Sequence, residues 1–256
     1  MALDLDTRAQ LIDTVRRFVE DVCIPLEAKV SQTNSMPDDV VAQMKELGLF
    51  GISISEDYGG LGLTMEEEAL VVFELGRTSP AFRSTFGTNV GIGSQALVMF
   101  GNEDQKTEWL PKIASGEAIG CWAINEGRGR MQPEKVALTF DGGTLTGSKA
   151  PVADGAIADF AIVLAKEGSG LSLCLVDLSG KGGSRKDLDS VDPTRSHTEL
   201  SFDGTPATRI GSAGDGWHIA TQVMDRAAIL IGFEQLGGAD RALEMGRDYA
   251  LERMAF

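Results

Sequence analysis

The sequence predicts an α+β fold in which a helical region, a small antiparallel β-region and a second helical region follow one another along the chain. Up to about residue 120, apolar residues repeat every three or four positions, which is the period of a surface helix. From there to about residue 211, short runs of Val, Ile, Leu, Phe and Thr alternate with glycine-containing turns, as in antiparallel strands. The helical period then returns. We therefore expect three domains, at residues 1–119, 120–212 and 213–256.

The first two helices are marked by their apolar period and by their end residues. The first has one apolar stripe, formed by Leu11, Val15, Phe18, Val19 and Val22. The second is predicted in "MPDDVVAQMKELG", where Pro37 suits the first helical position and Gly48 suits the stop.

Two further helices have explicit start signals. Thr64 and Glu67 have capping-box spacing ahead of an apolar run. In "NEDQKTEWLPKIASGE", Asn102 is predicted to cap the helix. Pro111 is predicted to bend or end the same helix, because proline removes a hydrogen bond from a helix interior.

Turn chemistry predicts the pairing of the strands. "KVALTFDGGTLTG" predicts a hairpin. "GKGGSRK" precedes neither a helix nor the Lys-Ser/Thr pair of a phosphate-binding loop, so we interpret it as a hairpin loop. In the last helical region, Gly237 and Gly238 indicate either a loosening of the helix or a close helix contact.

Composition and missing motifs argue against several classes of function. The 38 acidic and 23 basic residues give a net charge of −15, which disfavours nucleic acids and anionic membranes as partners. No GxGxxG or GxSxG motif is present. The two histidines and three cysteines lack ligand spacing, so we expect neither a metal site nor disulfides. The opening "MALDLDTRAQ" has no targeting signal, and we expect a cytoplasmic location.

Four segments together resemble the acyl-CoA dehydrogenase family: "ELGLFGISISEDYGGLGLT", "FGNEDQKTEWLPKIASGEAIGCWAINE", "GSKAPVADGAIADFAIVLA" and "YALERMAF". Their order is the family's order, and the resemblance extends over nearly the whole chain. It implies an N-terminal helical domain, a middle β-domain and a C-terminal four-helix domain of which only the beginning is present.

The resemblance also implies a reaction and partners. In this family a glutamate takes the α-proton of an acyl-CoA thioester, and the N5 atom of FAD takes a hydride from the β-carbon. FAD is therefore the expected cofactor and an acyl-CoA the expected substrate. A homo- or hetero-oligomer, as a dimer or tetramer, and an electron-transfer flavoprotein are the expected protein partners.

Two segments match the strands that hold the flavin in the family. In "CWAINE", Trp122, Ile124 and Asn125 are expected to line the flavin, with plain core packing as the alternative for Trp122. In the second segment, Val152 and Ala153 occupy the matching positions.

The same segments depart from the family pattern. After Glu126 the family has small residues ending in Gly-Ser-Asp, whereas this chain has "GRGRMQPEK". Pro151 replaces an aromatic residue, and Ala153 replaces a hydroxyl donor. These departures resemble a bacterial branch with heteromeric enzymes that act on bulky CoA esters such as degraded sterol side chains. Two alternatives to an ordinary dehydrogenase therefore stay open: a non-catalytic partner subunit that shares a flavin site, and a flavin-free CoA-ester-binding or scaffold protein.

The catalytic base is not visible in this sequence. The usual family glutamate lies beyond Phe256, and the alternative family position falls on Ala227, which cannot accept a proton. Asp225 is a weak candidate, with a solvated first-turn carboxylate as the alternative.

Five residues are expected to contact the cofactor or substrate from outside the flavin strands. Arg253 matches a family arginine that contacts the FAD pyrophosphate of a neighbouring subunit, with Phe256 packed beside it. Arg226, Arg128 and Arg130 are candidates for CoA contacts, and surface ion pairs or solvation are the alternatives.

The chain stops within an apparent helix, "YALERMAF". We expect it to be a fragment or part of a longer chain, because the family's remaining helices would cover the apolar face of this last helix.

Overall fold

The structure, a computed structural model, describes residues 2–127, 129 and 131–254. The described residues of the first region contain seven α-helices: α1 (Leu5–Phe18), α2 (Ile24–Thr33), α3 (Asp38–Glu46), α4 (Met65–Leu75), α5 (Pro80–Thr88), α6 (Ser94–Phe100) and α7 (Glu103–Ala114). One π-helical turn, Val19–Cys23, joins α1 to α2, and another, Asn89–Gly93, joins α5 to α6. Such turns often lie at functional sites, and the second lies beside the cavity described below.

The predicted start signals of α4 and α7 are confirmed. The Thr64 hydroxyl accepts from the Glu67 N–H at 3.4 Å, while the Glu67 carboxylate accepts from the Thr64 N–H at 2.7 Å. Asn102 and Gln105 form the same reciprocal arrangement.

The helix predictions that rest on proline need correction at two helix ends. Pro37 is the N-cap of α3, one residue before the first helical position. Pro111 does not end α7, which continues to Ala114, and a bend at this proline stays a prediction. Trp109, Leu110 and Ile113 are buried around this proline, and their packing offsets the lost backbone hydrogen bond.

The middle region, as far as its residues are described, is a sheet of eight strands: β1 (Gly120–Ala123), β2 (Thr139–Asp141), β3 (Thr144–Ala153), β4 (Phe160–Glu167), β5 (Gly170–Asp177), β6 (Gly183–Leu188), β7 (His197–Pro206) and β8 (Thr208–Ile210). Their order is β6-β7-β3-β2-β4-β5-β8, and β1 pairs with β4. The predicted β2–β3 hairpin is confirmed, with Gly142 and Gly143 at positive φ in its turn. Most strand pairs are antiparallel, as predicted, but the sheet as a whole is mixed, because β4 pairs in parallel with β1 and β2.

The interpretation of "GKGGSRK" as a loop is partly wrong. Its last four residues, 183–186, begin β6, which pairs with β7 at the end of the sheet order. Those four residues are exposed and polar, as is typical of an edge strand, so no apolar alternation marks the strand in the sequence.

The sheet is packed on both faces. Along β4, one face contributes to a core shared with α6, α7 and the last helix, and the other to a core within the β-region. A separate core lies among the first helices. The alternating residues are Phe160, Ile162 and Leu164 on the first face and Ala161, Val163 and Ala165 on the second.

The last region is one helix, α8 (Gly216–Glu252), which packs against α4. At Gly237 an added Cβ would lie 2.0 Å from the Phe73 carbonyl oxygen, and at Gly76 one would lie 2.2 Å from the Glu234 carbonyl oxygen. Of the two alternatives for Gly237, the close helix contact is therefore correct. Large apolar side chains remain exposed along α8, among them Leu243 and Leu251. In the described part of the chain, no helix is long and apolar enough to cross a bilayer.

Candidate active site

A cavity of about 270 Å³ lies where the helices, the sheet and α8 meet. This volume is close to the lower end of the range for small-molecule sites, ~300–1,000 Å³. The cavity has a polar wall, formed by the ends of strands, and a largely apolar wall, formed by α4, α5, the second π-helical turn and α8. Its apolar lining includes Ile52, Val72, Phe86, Ile92, Leu230 and Ile231.

The polar wall is formed by β1, β3, β7 and the residues that follow or precede them. Trp122 and Asn125 come from the β1 segment, Ala153 from β3 and His197 from β7. Ala153 and His197 are direct cross-strand partners. Two buried nitrogen atoms here, Trp122 Nε1 and His197 Nδ1, form no hydrogen bond with any described residue. Since buried polar groups nearly always have partners, these two nitrogens favour a ligand with polar atoms at this wall.

The segment after β1 is fixed by a buried ion pair. Lys149 Nζ lies 2.5 Å from the Glu126 carboxylate and 3.4 Å from the Ile124 carbonyl oxygen. The Glu126 carboxylate also accepts from the N–H groups of Ala137, at 2.8 Å, and Leu138, at 3.1 Å.

Burial affects the pKa values of the two members of this ion pair differently. Burial lowers the pKa of the Lys149 ammonium. Burial also disfavours the Glu126 carboxylate, but the hydrogen bond from Lys149 and those from the backbone outweigh it, so the pKa of Glu126 is lowered. The pair keeps the backbone beside Asn125 in place.

The helical wall carries charged groups in ion pairs. The Arg226 guanidinium contacts the carboxylate of Glu68, which is buried and lines the cavity. Burial raises the pKa of Glu68, although Arg226 opposes the shift. Arg83, which also lines the cavity, contacts the carboxylate of Glu234 on α8.

A third ion pair lies at the junction of the two walls. Arg195, which lines the cavity, donates three hydrogen bonds to Asp154 at 2.7–3.2 Å. Asp154 adopts φ +62°, a left-handed conformation that asparagine and aspartate tolerate better than most residues. Within the described ranges, no group of histidine, cysteine and acidic side chains could hold a metal ion.

Comparisons with known proteins agree on one family. The family model "Acyl-CoA dehydrogenase, N-terminal domain" matches residues 6–117. An acyl-CoA dehydrogenase of Bacillus subtilis is 31% identical over 94% of this chain and 68% of its own length. The chain belongs to the acyl-CoA dehydrogenase family.

Other relatives agree with this assignment. The human mitochondrial short-chain specific acyl-CoA dehydrogenase is 29% identical over 98% of this chain, which spans 64% of that protein. The solved acyl-CoA dehydrogenase of Bacillus anthracis, complexed with FAD, superposes with a TM-score of 0.87 at 28% identity, over 98% of this chain and 46% of that one. The predicted fold is thereby confirmed.

The structure brings three of the five expected flavin-strand residues to the cavity. Trp122, Asn125 and Ala153 line it. Val152 is fully buried in the core of the β-region, and Ile124 is buried beneath the wall and lines a separate small cavity. Their side chains therefore do not line the main cavity.

The remaining candidates lie elsewhere. Asp225 is exposed on α8 and does not line the cavity, whereas Ala227 does. Arg226 is paired with Glu68 beside the cavity. Arg253 is exposed, and its Nη1 donates to the Tyr249 hydroxyl at 2.9 Å. Three further candidates, Arg128, Arg130 and Phe256, lie outside the described residues.

Sequence reasoning missed the charged and histidine residues of the site: Glu68, Arg83, Arg195, His197 and Glu234. The sequence offered one signal in the helices, because Glu68 directly precedes an apolar run. In the structure its side chain is 1% exposed, so this acidic residue interrupts a buried surface. Arg195 and His197 come together with β3 only through the register of β7.

Proposed function

We propose that this chain belongs to an FAD-dependent enzyme that removes hydrogens from the α- and β-carbons of an acyl-CoA thioester. One observation supports this most directly: a cavity of the family fold has an apolar wall for an acyl chain and a polar wall with two buried nitrogens that have no hydrogen-bond partner among the described residues. Since the chain spans 68% and 64% of the two curated relatives, the activity is proposed for the whole protein.

The residues of the polar wall fit a flavin. The isoalloxazine ring has several nitrogen and oxygen atoms on its edge, and Trp122 Nε1 can donate to such an atom. Asn125 adds an amide that can donate or accept. Bound there, FAD would supply the acceptor for the hydride. The chain's own contribution is to hold and orient the ring through Trp122, Asn125 and His197, with the Lys149–Glu126 pair fixing the strand end.

The apolar wall would exclude water from the acyl group. Phe86, Ile92 and Leu230 give it the lining that a hydrocarbon segment needs. This wall offers no free base among the described residues. Ala227 has no proton-accepting group, and the Glu68 carboxylate is engaged by Arg226.

A second candidate function is a partner subunit that shares its site with another family member. Pro151 and Ala153 favour it, because they give the cavity neither an aromatic platform nor a hydroxyl donor. In this reading the base, and part of the flavin contact, come from elsewhere in the assembly. Arg253 at the exposed end of α8 is proposed to meet the FAD pyrophosphate of a neighbouring subunit, and an electron-transfer flavoprotein is proposed as the electron acceptor.

A flavin spectrum distinguishes the candidates. The protein is purified alone and, separately, co-expressed with a neighbouring family member, and acyl-CoA is added without oxygen. A yellow protein that bleaches when purified alone supports the enzyme. Colour only after co-expression supports the partner subunit. No flavin in either preparation contradicts both.

The variant Trp122→Phe tests the polar wall itself. Loss of one hydrogen bond, worth about 0.5–1.5 kcal/mol, should weaken FAD binding about 2- to 12-fold, measured by fluorescence titration. Trp217→Phe is the control, because Trp217 packs partly buried against the core and does not line the cavity. Equal FAD affinities in the two variants would contradict the assignment of Trp122.

A further inference from the structure

Another cavity, of about 520 Å³, lies between the helices α2, α3 and α5 and the connections that lead into β4 and β7. We call it the α3 cavity. Its volume is within the range of small-molecule sites, ~300–1,000 Å³. Among the described residues, only Arg195 lines both this cavity and the one assigned to the proposed function. The apolar lining of the α3 cavity includes Val30, Met36, Val41, Phe50, Ile119 and Ile157.

Lys45 brings a cation without a carboxylate partner to the α3 cavity. Its alkyl chain lies on Gly116, where an added Cβ would be 2.8 Å from Lys45 Cε, and its Nζ lies 5.8 Å from the centroid of the Phe50 ring. Of the lysines in the described part of the chain, only Lys106 and Lys149 form ion pairs. The glycine and the aromatic ring therefore hold an unpaired ammonium group at the cavity.

The acidic residues of the lining do not neutralise Lys45. Asp154 is bound by Arg195, at 2.7 Å. Asp38 lies seven residues before Lys45 on α3, so the two are about 10 Å apart along the helix axis, beyond the reach of an ion pair. Asp38 also lies in the first turn of α3, where the helix dipole favours a carboxylate. The α3 cavity therefore keeps one unpaired positive charge among its described lining residues.

A hydroxyl group without a partner lies on the side of the cavity that precedes β7. Ser196 Oγ is buried and forms no hydrogen bond with any described residue. The neighbouring Arg195 uses Nε and Nη2 to bind Asp154. Since buried polar groups nearly always have partners, the Ser196 hydroxyl favours a ligand with an oxygen atom that accepts a hydrogen bond.

We propose that the α3 cavity binds an amphipathic monoanion, a free carboxylic acid with a hydrocarbon chain, whose carboxylate pairs with Lys45 and accepts a hydrogen bond from Ser196. The apolar lining residues named above suit the hydrocarbon chain. A phosphate dianion would bring a second negative charge near Asp38 and Asp154, where like charges repel and one cation alone is unpaired. For the same reason a CoA ester, with its several phosphate charges, does not suit this cavity. The inference is independent of the proposed function, which concerns the other cavity.

Three ligands with the same hydrocarbon chain test the proposal. Decanoate, decanol and decyl phosphate are titrated by calorimetry into the protein in its natural assembly. We expect decanoate to bind at least about tenfold more tightly than decanol, because the neutral alcohol lacks the charge-assisted hydrogen bond. Decyl phosphate should bind less tightly than decanoate.

Variants identify the responsible side chains. Lys45→Met should weaken decanoate binding at least about tenfold and leave decanol within about twofold, whereas Lys45→Arg should retain decanoate binding. Lys45 is exposed and methionine can keep its contact with Phe50, so the variant should fold. Ser196→Ala should weaken decanoate binding about 2- to 12-fold. Lys112→Met is the matched control, because Lys112 Nζ also lies over an aromatic ring, 5.1 Å from the centroid of Trp109, but does not line the cavity.

A further variant shows which cavity holds the ligand. Ile231 lines the cavity of the proposed function and is 42% exposed, so Ile231→Trp should reduce the space in that cavity. Decanoate affinity should stay within about twofold in this variant. A loss in Ile231→Trp without a loss in Lys45→Met would place decanoate in the other cavity and overturn the inference.

The remaining outcomes are equally decisive. Undetectable decanoate binding, or equal affinities in Lys45→Met and the unaltered protein, overturns the inference. Tighter binding of decyl phosphate than of decanoate overturns the assignment to a monoanion. All of these results leave the flavin spectrum unaffected, so the proposed function stands or fails separately.

Discussion

Removing Glu126 from its ion pair with Lys149 should destabilise the fold much more than removing Lys149. The Lys149 side chain is 0% exposed, whereas the Glu126 side chain is 18% exposed and has two backbone N–H donors besides the lysine. Glu126→Gln therefore leaves a fully buried ammonium without a counter-charge. Lys149→Met leaves a carboxylate that reaches water and keeps two of its hydrogen bonds.

The ordinary pKa of a lysine sets an upper limit on the unfolding free energy that Glu126→Gln can remove. A buried ammonium without a partner either stays charged or loses its proton. Deprotonation at pH 7 of a group whose unperturbed pKa is about 10.4 costs about 1.36 kcal/mol per pH unit, or roughly 4–5 kcal/mol, and this is the upper limit. Breaking a buried pair usually costs ~3–5 kcal/mol. We therefore expect about 3–5 kcal/mol for Glu126→Gln and about 1–2 kcal/mol for Lys149→Met.

Urea denaturation at several pH values tests this expectation. The folded-state pKa of Lys149 lies below its unfolded value, so the folded state binds fewer protons between the two values and stability rises with pH there. The double variant Glu126→Gln/Lys149→Met lacks both groups and is the reference. The difference in unfolding free energy between Glu126→Gln and this reference should shrink between pH 7 and pH 10. Equal costs for the two single variants, or a deficit that does not change with pH, would refute the reasoning.

Two further predictions concern helix packing and capping, and both are measured as unfolding free energies in urea. Gly237→Ala would place a methyl group against the Phe73 carbonyl oxygen and should cost about 3 kcal/mol. Gly246→Ala, on the same helix with nothing within 4 Å, should instead gain about 0.5–1 kcal/mol, and a loss at both sites would contradict the close contact. Thr64→Ala removes the hydroxyl that caps α4 and should cost about 1 kcal/mol, whereas Thr64→Ser should be nearly neutral. Similar losses in both Thr64 variants would argue against the capping bond.

Local signals were sufficient for much of the fold. The capping boxes of α4 and α7 and the hairpin turn at Gly142 and Gly143 involve residues close in sequence, and the structure has them as predicted. The errors arose where distant contacts decide. Pro111 remains inside a helix because buried neighbours hold it there, and the edge strand β6 exists because β7 pairs with it.

The site was less predictable than the fold. The resemblance led to Trp122, Asn125 and Ala153, because these lie in recognisable strand segments. Arg83 and Glu234 could not be found in this way, since they lie on different helices and meet only after α8 has packed on α4. Glycines at helix contacts, such as Gly76 and Gly237, were the available sign that α8 approaches closely, but they do not show which charged side chains meet.

The close contact between α4 and α8 has a consequence for the order of events during synthesis. Arg77 and Asp240, which join beside this contact, are separated by 163 residues. At ~5–20 residues per second, a ribosome needs roughly 8–33 s to pass from one to the other. Over that interval the eight strands are synthesised, up to Ile210, while the groove where the cavity will be stays open. A factor that binds apolar surfaces on newly made chains would thus meet this groove before Ala227, Leu230 and Ile231 close it.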